Sequence, residues 1–227
     1  AILAHPNERT LHSMPTPQTG GVAIMTGLVI SLVAVASVLV IVEPAKTLLP
    51  KGMASGSLWI VVSVLLIFVV SFIDDCVGLP AGLRLGVQAA SAFIIIFGVG
   101  LTLSSIPIPG LAIIELGWMA IPVSALLLIW MANLYNFMDG MDGFSGGMTA
   151  IGFGFLAYFG WETESPVMFM ISSIIAMSAL GFLAHNFPPA RIFMGDAGSI
   201  TIGFLCGALM LLGVRDRMFD VWVPIIL

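Results

Sequence analysis

Leu58-Trp-Ile-Val-Val-Ser-Val-Leu-Leu-Ile-Phe-Val-Val-Ser-Phe-Ile-Asp-Asp75 runs without a charge from Leu58 to Ile73 and then ends on two adjacent carboxylates. A stretch of this kind approaches the roughly 20 apolar residues that cross a hydrocarbon core. Comparable blocks recur near Val22–Val42, Ser57–Ile73, Leu85–Leu103, Trp118–Tyr135, Met148–Phe159, Val167–Leu183 and Ile200–Val214. The block at Met148–Phe159 is short, and Phe144–Gly147 with Gly160 bring it close to what a bilayer needs. The pattern predicts an all-α polytopic transmembrane bundle, one integral membrane domain over residues 1–227. It has seven full spans and a partial eighth beginning in Asp220-Val-Trp-Val-Pro-Ile-Ile-Leu227.

Composition agrees. Hydrophobic residues make up 59% of the chain, charged residues 8%, and the mean hydropathy is +1.15, whereas soluble domains carry about 25% charged residues. A net charge of −5 without clustered Lys or Arg excludes a nucleic-acid partner. Cys76 and Cys206 fit neither a metal nor a disulfide spacing and read as packing residues. No cleavable signal peptide is legible. The first residue is not Met and the last lies inside an apolar stretch, so further residues are expected beyond both ends.

Successive loops of a helical bundle fall on alternate faces of the membrane. One face receives His5–Gly21, Asp74–Arg84, Asn136–Gly147 and His185–Ser199, and the other Glu43–Gly56, Ser104–Gly117, Trp161–Pro166 and Arg215–Asp220. The segments rich in Gly, Pro, Asn and paired Asp all share the first face, which predicts one site built from segments 5–21, 74–84, 136–147 and 185–199. The positive-inside rule does not orient it. Arg9, Arg84 and Arg191 on the motif face are matched by Lys46, Lys51, Arg215 and Arg217 on the other.

Asp74 and Asp75 stand where the second span leaves the bilayer, a costly place for two repelling carboxylates unless a divalent cation or a basic side chain such as Arg84 meets them. Asn133, Asn136, Asp139 and Asp142 recur every third residue in Asn133-Leu-Tyr-Asn-Phe-Met-Asp-Gly-Met-Asp-Gly-Phe-Ser-Gly-Gly147. Such a ladder drifts about 60° per step around an α-helix and stacks directly on a helix of three residues per turn, and either way it is expected to face one cavity. Oxygen-only ligands suit Mg²⁺ or Mn²⁺ rather than zinc. Gly140, Gly143, Gly146 and Gly147 allow two readings, backbone amides approaching a phosphate or close helix packing.

In His185-Asn-Phe-Pro-Pro-Ala-Arg-Ile-Phe-Met-Gly-Asp-Ala-Gly-Ser199, Asp196 lies between two glycines immediately before the seventh span, as a metal ligand or as a helix cap. Arg191 offers a phosphate-binding fork or an interface anchor. The first segment is stiffened by Pro6, Pro15 and Pro17. It contributes Asn7, Arg9 and Thr16 as candidate substrate contacts, with His5 and His12 at the interface.

Together, Pro15-Thr-Pro with Gly20-Gly21, the Asp74-Asp75 pair, Asn133–Gly147 and Phe193-Met-Gly-Asp-Ala-Gly-Ser199 resemble the polyprenyl-phosphate N-acetylhexosamine-1-phosphate transferases. The likeness is closer to the type that initiates O-antigen and common antigen than to the peptidoglycan type. Four motifs in order on one face make it specific, and it covers nearly the whole chain. His5 and Gln18 depart from the acidic residue and Arg usual in that family, whose members also continue into further helices and a basic loop.

The resemblance implies transfer of N-acetylhexosamine-1-phosphate from a UDP-sugar to undecaprenyl phosphate. A lipid phosphate oxygen attacks the β-phosphorus and UMP leaves, starting a lipid-linked glycan of the lipopolysaccharide or cell-wall kind. It also implies a multi-pass protein of the bacterial inner membrane whose motif face meets the cytoplasm. Catalytic roles fall on Asp74, Asp75, Asp139 and Asp142. Substrate contacts fall on Arg84, Asn133, Asn136, Arg191, Asn7 and Arg9. Mg²⁺, with Mn²⁺ as the substitute, falls on Asp196, Asn136 and Asp139. The partners implied are undecaprenyl phosphate, a UDP-amino sugar and the lipid bilayer, with a homodimer left open.

Two other classes were weighed. A cation- or proton-coupled transporter would carry its carboxylates near the midplane, and a CDP-alcohol phosphotransferase would continue its Asp-Gly motif into Ala-Arg, where this chain has Phe144-Ser145 after Asp142-Gly143. The alternation of loops makes a direct prediction. In the full-length protein with Cys76 and Cys206 replaced, single cysteines at Ala81 and Ser165 react with an impermeant thiol reagent from opposite sides of sealed vesicles. Labelling of both from one side breaks the topology.

Overall fold

The computed structural model describes residues 3–4, 16–41, 53–108, 110 and 112–223. Two short strands, β1 (Leu3–Ala4) and β2 (Thr16–Pro17), pair antiparallel ahead of helix α1 (Gly20–Ile41). There follow α2 (Met53–Val77), α3 (Ala81–Val99), a hairpin of β3 (Ser105–Ile108) and β4 (Ala112–Glu115), α4 (Ala120–Met138), α5 (Phe144–Glu162), α6 (Pro166–Asn186) and α7 (Asp196–Arg215). Among the described residues five helices are long and apolar enough to cross a membrane: α2, counted from Leu58, α3, α4 with its preceding 3₁₀ turn, α6 and α7. α1 is an apolar helix counted over Gly20–Val35. Glycine-rich α5 is not among the five, although its 19 residues extend to about 28 Å at 1.5 Å per residue, close to a hydrocarbon core. The protein is a multi-pass helical bundle. Of the eighth span expected from the sequence, only its start to Val223 lies within the described residues.

α7 is the axis of the bundle. Its apolar window is 89% buried, against 28–33% for the other four crossing helices, and α1, α2, α4 and α5 all pack on it. Lipid replaces water around the outer helices, so Val29, Val33, Leu65, Val69, Phe97, Leu126, Trp130, Ile151 and Met177 are exposed without being misplaced. Several hydroxyls inside the helices are satisfied locally, as where Ser63, Thr149 and Ser199 donate to carbonyls four residues back.

Helix ends follow local chemistry. α3 stops at Gly100, which takes the left-handed conformation and donates its N–H to the Ile96 carbonyl. The span therefore ends earlier than the Leu103 expected from hydropathy. Leu101 and Leu103 are nonetheless buried, in extended chain, with the Leu103 N–H bonded to Ser124 Oγ at 2.7 Å. By its sequence pattern the following segment is a loop. It forms the β3–β4 hairpin in register Ile106↔Ile114, fastened by Trp222 Nε1 to the Pro107 carbonyl at 2.6 Å.

Small residues set the closest approaches. A Cβ on Gly21 would overlap the Gly198 backbone, and one on Gly160 the Phe169 backbone, so α1 meets α7, and α5 meets α6, nearly backbone to backbone. Gly21→Ala is therefore expected to cost about 1–3 kcal/mol through overpacking. Gly154→Ala, where a Cβ meets nothing within 4 Å, gains up to about 1 kcal/mol of helix propensity. Unfolding in detergent micelles measures both, and equal stabilities would remove the close contact.

Candidate active site

The ends of the helices that the loop alternation assigns to one face are tied together by hydrogen bonds. Gly20 and Gly21 donate to the carbonyls of Phe193 and Met194, and the Phe193 N–H returns to Pro17. The N-terminal segment thus lies along the loop that leads into α7. Thr16 is buried in β2. Asn7, Arg9, His5 and His12 lie outside the described residues.

α2 ends two residues after Asp75, turns through Gly78 at φ +69° and restarts at Ala81 after Pro80. This turn returns Arg84 to the residue it follows by ten positions. Arg84 Nη1 lies 3.0 Å from Asp74 Oδ2 and 3.2 Å from Asp196 Oδ2, while Asp74 Oδ1 accepts the Leu79 N–H. Asp74 and Asp196 share that Nη1, and Asn136 lies beside Asp196. Arg84 is half-exposed while Asp74 is nearly sealed, so the cation is the accessible member of the group.

Asp75 faces elsewhere. Its Oδ1 accepts the Asp196 N–H and its Oδ2 the Ala197 N–H, both at 2.9 Å. Asp139, the residue that ends α4, is likewise occupied by protein donors: Met194 N–H at 3.1 Å and Ser145 Oγ at 2.9 Å on Oδ1, and Gly195 N–H at 2.8 Å on Oδ2. Burial pushes the Asp139 carboxyl up to about 7, against the three hydrogen bonds that hold it down. In this structure Asp139 braces the loop before α7.

The ladder does not face one cavity throughout, because α4 remains α-helical to Met138 and the drift per step applies. Asn133 is exposed and donates to Gln88 on α3 at 2.6 Å, outside the cluster around Arg84. Asp142 lies past the helix end, with Oδ2 accepting the Ala190 N–H at 2.9 Å and a buried Oδ1 that has no partner among the described residues. Arg191 is exposed and makes no ion pair among the described residues. Of the two readings of Gly146, the structure favours packing, since a Cβ there would press on Phe182 at 3.1 Å.

Two residues without an assigned role hold the site's frame. Asn186 accepts the Gly143 N–H and donates to the Ile192 carbonyl, both at 2.9 Å. Ser145 supports Asp139. The only local signal for Asn186 was an amide at a helix end just before Pro188-Pro189.

A metal can be tested against these donors. Among the described residues no group of three or more His, Cys, Asp or Glu is arranged to hold an ion. Mg²⁺, however, usually takes one or two carboxylates together with water and substrate phosphates. Asp196 and Asp74 with the Asn136 amide fit that oxygen-only demand. All Asp, Glu, Arg and His residues of the described helices lie in their terminal turns, so no midplane chain of carboxylates exists there for a transport pathway.

A family model described as glycosyl transferase family 4 matches residues 57–214, more than half of the chain. The chain belongs to this family. A probable undecaprenyl-phosphate N-acetylglucosaminyl 1-phosphate transferase of Bacillus subtilis is 32% identical over 98% of the chain and 59% of its own length. A decaprenyl-phosphate N-acetylglucosaminephosphotransferase of Mycolicibacterium smegmatis is 37% identical over 91% of the chain and 52% of its own length. A phospho-N-acetylmuramoyl-pentapeptide-transferase of Synechococcus is 34% identical over 73% of the chain and 52% of its own length. The chain thus spans between half and three-fifths of these family members.

Asp139→Asn places an amide nitrogen against one of the three donors and leaves that donor unpaired, a loss of about 1–3 kcal/mol. Arg191→Ala, at an exposed side chain, stays within about 0.5 kcal/mol of the parent. Chemical unfolding in detergent compares them, and equal stability of the two variants would strip Asp139 of its bracing role.

Proposed function

We propose that the full-length protein transfers N-acetylhexosamine-1-phosphate, or a related amino-sugar phosphate, from a UDP-sugar to undecaprenyl phosphate. The reaction takes place at the cytoplasmic face of the bacterial inner membrane, where nucleotide sugars are made, and it releases UMP and starts a lipid-linked cell-envelope glycan. The observation that carries this reading is the convergence of Asp74 and Asp196 on Arg84, with Asn136 beside Asp196, at one end of the membrane bundle. The names of the relatives, which pair polyprenyl phosphates with amino-sugar phosphates, support the same reaction class.

Both reactants are anions, so positioning and charge neutralisation dominate the chemistry. Asp196 with Asn136 would hold Mg²⁺ or Mn²⁺, which supplies charge neutralisation of the pyrophosphate when bound. Arg84 is the group of this chain that steadies a phosphate, because its guanidinium presents several donors and keeps its charge. Asp74 sits where a base can take a proton from the acceptor phosphate. The acceptor oxygen forms its bond to the β-phosphorus, the bridge to the α-phosphate breaks, and UMP leaves with the electron pair. A phosphate monoester has its second pKa near 6, so help from the base matters most at low pH.

The test is UMP release by the full-length protein with undecaprenyl phosphate, Mg²⁺ and a panel of UDP-sugars. Asp196→Asn is expected to abolish turnover at every pH between about 6 and 9, a range that brackets the phosphate pKa. Asp74→Asn is expected to lose most near pH 6, where about half of the acceptor phosphate is still protonated, and to recover as the acceptor ionises by itself. Equal loss in both variants at every pH would assign Asp74 to positioning, and no UMP from any sugar with the parent protein would sink the reading.

A further inference from the structure

α7 begins without a local cap. Its N-cap residue is Gly195, at φ +74°, which has no side chain to offer the first amides. The partner comes from 121 residues earlier in the chain, where the two oxygens of Asp75 take the N–H groups of Asp196 and Ala197. The fit leaves no slack. A Cβ on Gly195 would stand 3.0 Å from Asp75 Oδ2 and 2.8 Å from the Gln18 carbonyl.

We infer that Asp75 is a positioning residue, which sets the place of the Asp196 carboxylate by clamping the Asp196 and Ala197 amides and does not itself touch the reactants. This rests on the transferase reading for its consequence in turnover, while the clamp stands on geometry alone. The residue whose N–H is clamped is the same residue that extends its side chain to Arg84 and Asn136. Two acceptor atoms and a negative charge suit the task, since the first turn of a helix presents paired donors and a positive dipole end. An amide at position 75 keeps one acceptor and sets its own N–H groups against the second donor.

Two measurements on the full-length protein decide it, with Asp75→Asn and the longer-armed Asp75→Glu beside the parent. The first is amide hydrogen exchange and needs no substrate. Asp75→Asn is expected to speed exchange over residues 196–199 about five- to tenfold, the size of a lost cap, and to leave α5 and α6 unchanged, with Asp75→Glu in between. The second is UMP release across a Mg²⁺ titration. Asp75→Asn shifts half-saturation to higher Mg²⁺ and regains most of its kcat at saturation, and Asp75→Glu shifts it less. Unchanged exchange in Asp75→Asn overturns the inference, as does exchange that rises equally in α5 and α6. So does a kcat lost in both variants at saturating Mg²⁺ with an unaltered Mg²⁺ dependence, which makes Asp75 a reacting group. Failure of the parent to release UMP defeats the transferase reading and leaves the exchange experiment to judge the clamp.

Discussion

The first turn of α7 is a set of amide donors that its own helix cannot satisfy. α7 is the most deeply buried helix of the bundle, and an unpaired buried N–H costs about 1–3 kcal/mol. Its opening must therefore be satisfied by protein atoms. Asp75 takes the amides of Asp196 and Ala197, Asp139 takes those of Met194 and Gly195, and the Gly195 carbonyl takes those of Gly198 and Ser199. Most other features of the site follow from that accounting. Two of the aspartates are spent on backbone, which leaves Asp74 and Asp196 to meet Arg84.

Charge balance is the second consequence. Asp74, Asp75, Asp139 and Asp196 crowd around one end of the bundle, and Arg84 is in contact with two of them, Asp74 and Asp196. At the effective dielectric of a partly buried site such charges interact by several kcal/mol, so they cannot be treated one at a time. Asp139, the most enclosed, answers by holding its proton to about 7. Asp74 and Asp196 answer by sharing a guanidinium. The half-exposed position of Arg84 means that a phosphate arriving from outside meets a cation before it meets a carboxylate.

Much of this was legible in the sequence. Uncharged runs such as Leu58–Ile73 announce their helices, because lipid tolerates little else, and loop alternation brings the Asp- and Gly-rich segments to one end without any knowledge of packing. What stayed hidden depends on contacts between distant residues. Leu101 and Leu103 are as apolar as the helix before them, and only the left-handed turn at Gly100 separates them from it. Asn133 belongs to a regular ladder by spacing, yet the α-helical drift carries it to Gln88 on the neighbouring helix. Asp75 and Asp74 look equivalent as neighbours. Their side chains diverge because one has the amides of α7 before it and the other has Arg84, and neither partner is adjacent in sequence.

The separation of Asp75 from its amide partners also has a meaning for assembly. Synthesis proceeds from the N-terminus at roughly 5–20 residues per second, so the 121 residues between Asp75 and Asp196 take about 6 to 24 s to emerge. Arg84 follows Asp74 by only ten residues, so a counter-ion for the carboxylate pair is present almost at once. The end of α2 is thus a prepared receptor for a helix not yet made. The last of these helices to be synthesised docks by its start, and the bundle closes around it in an order written into the chain.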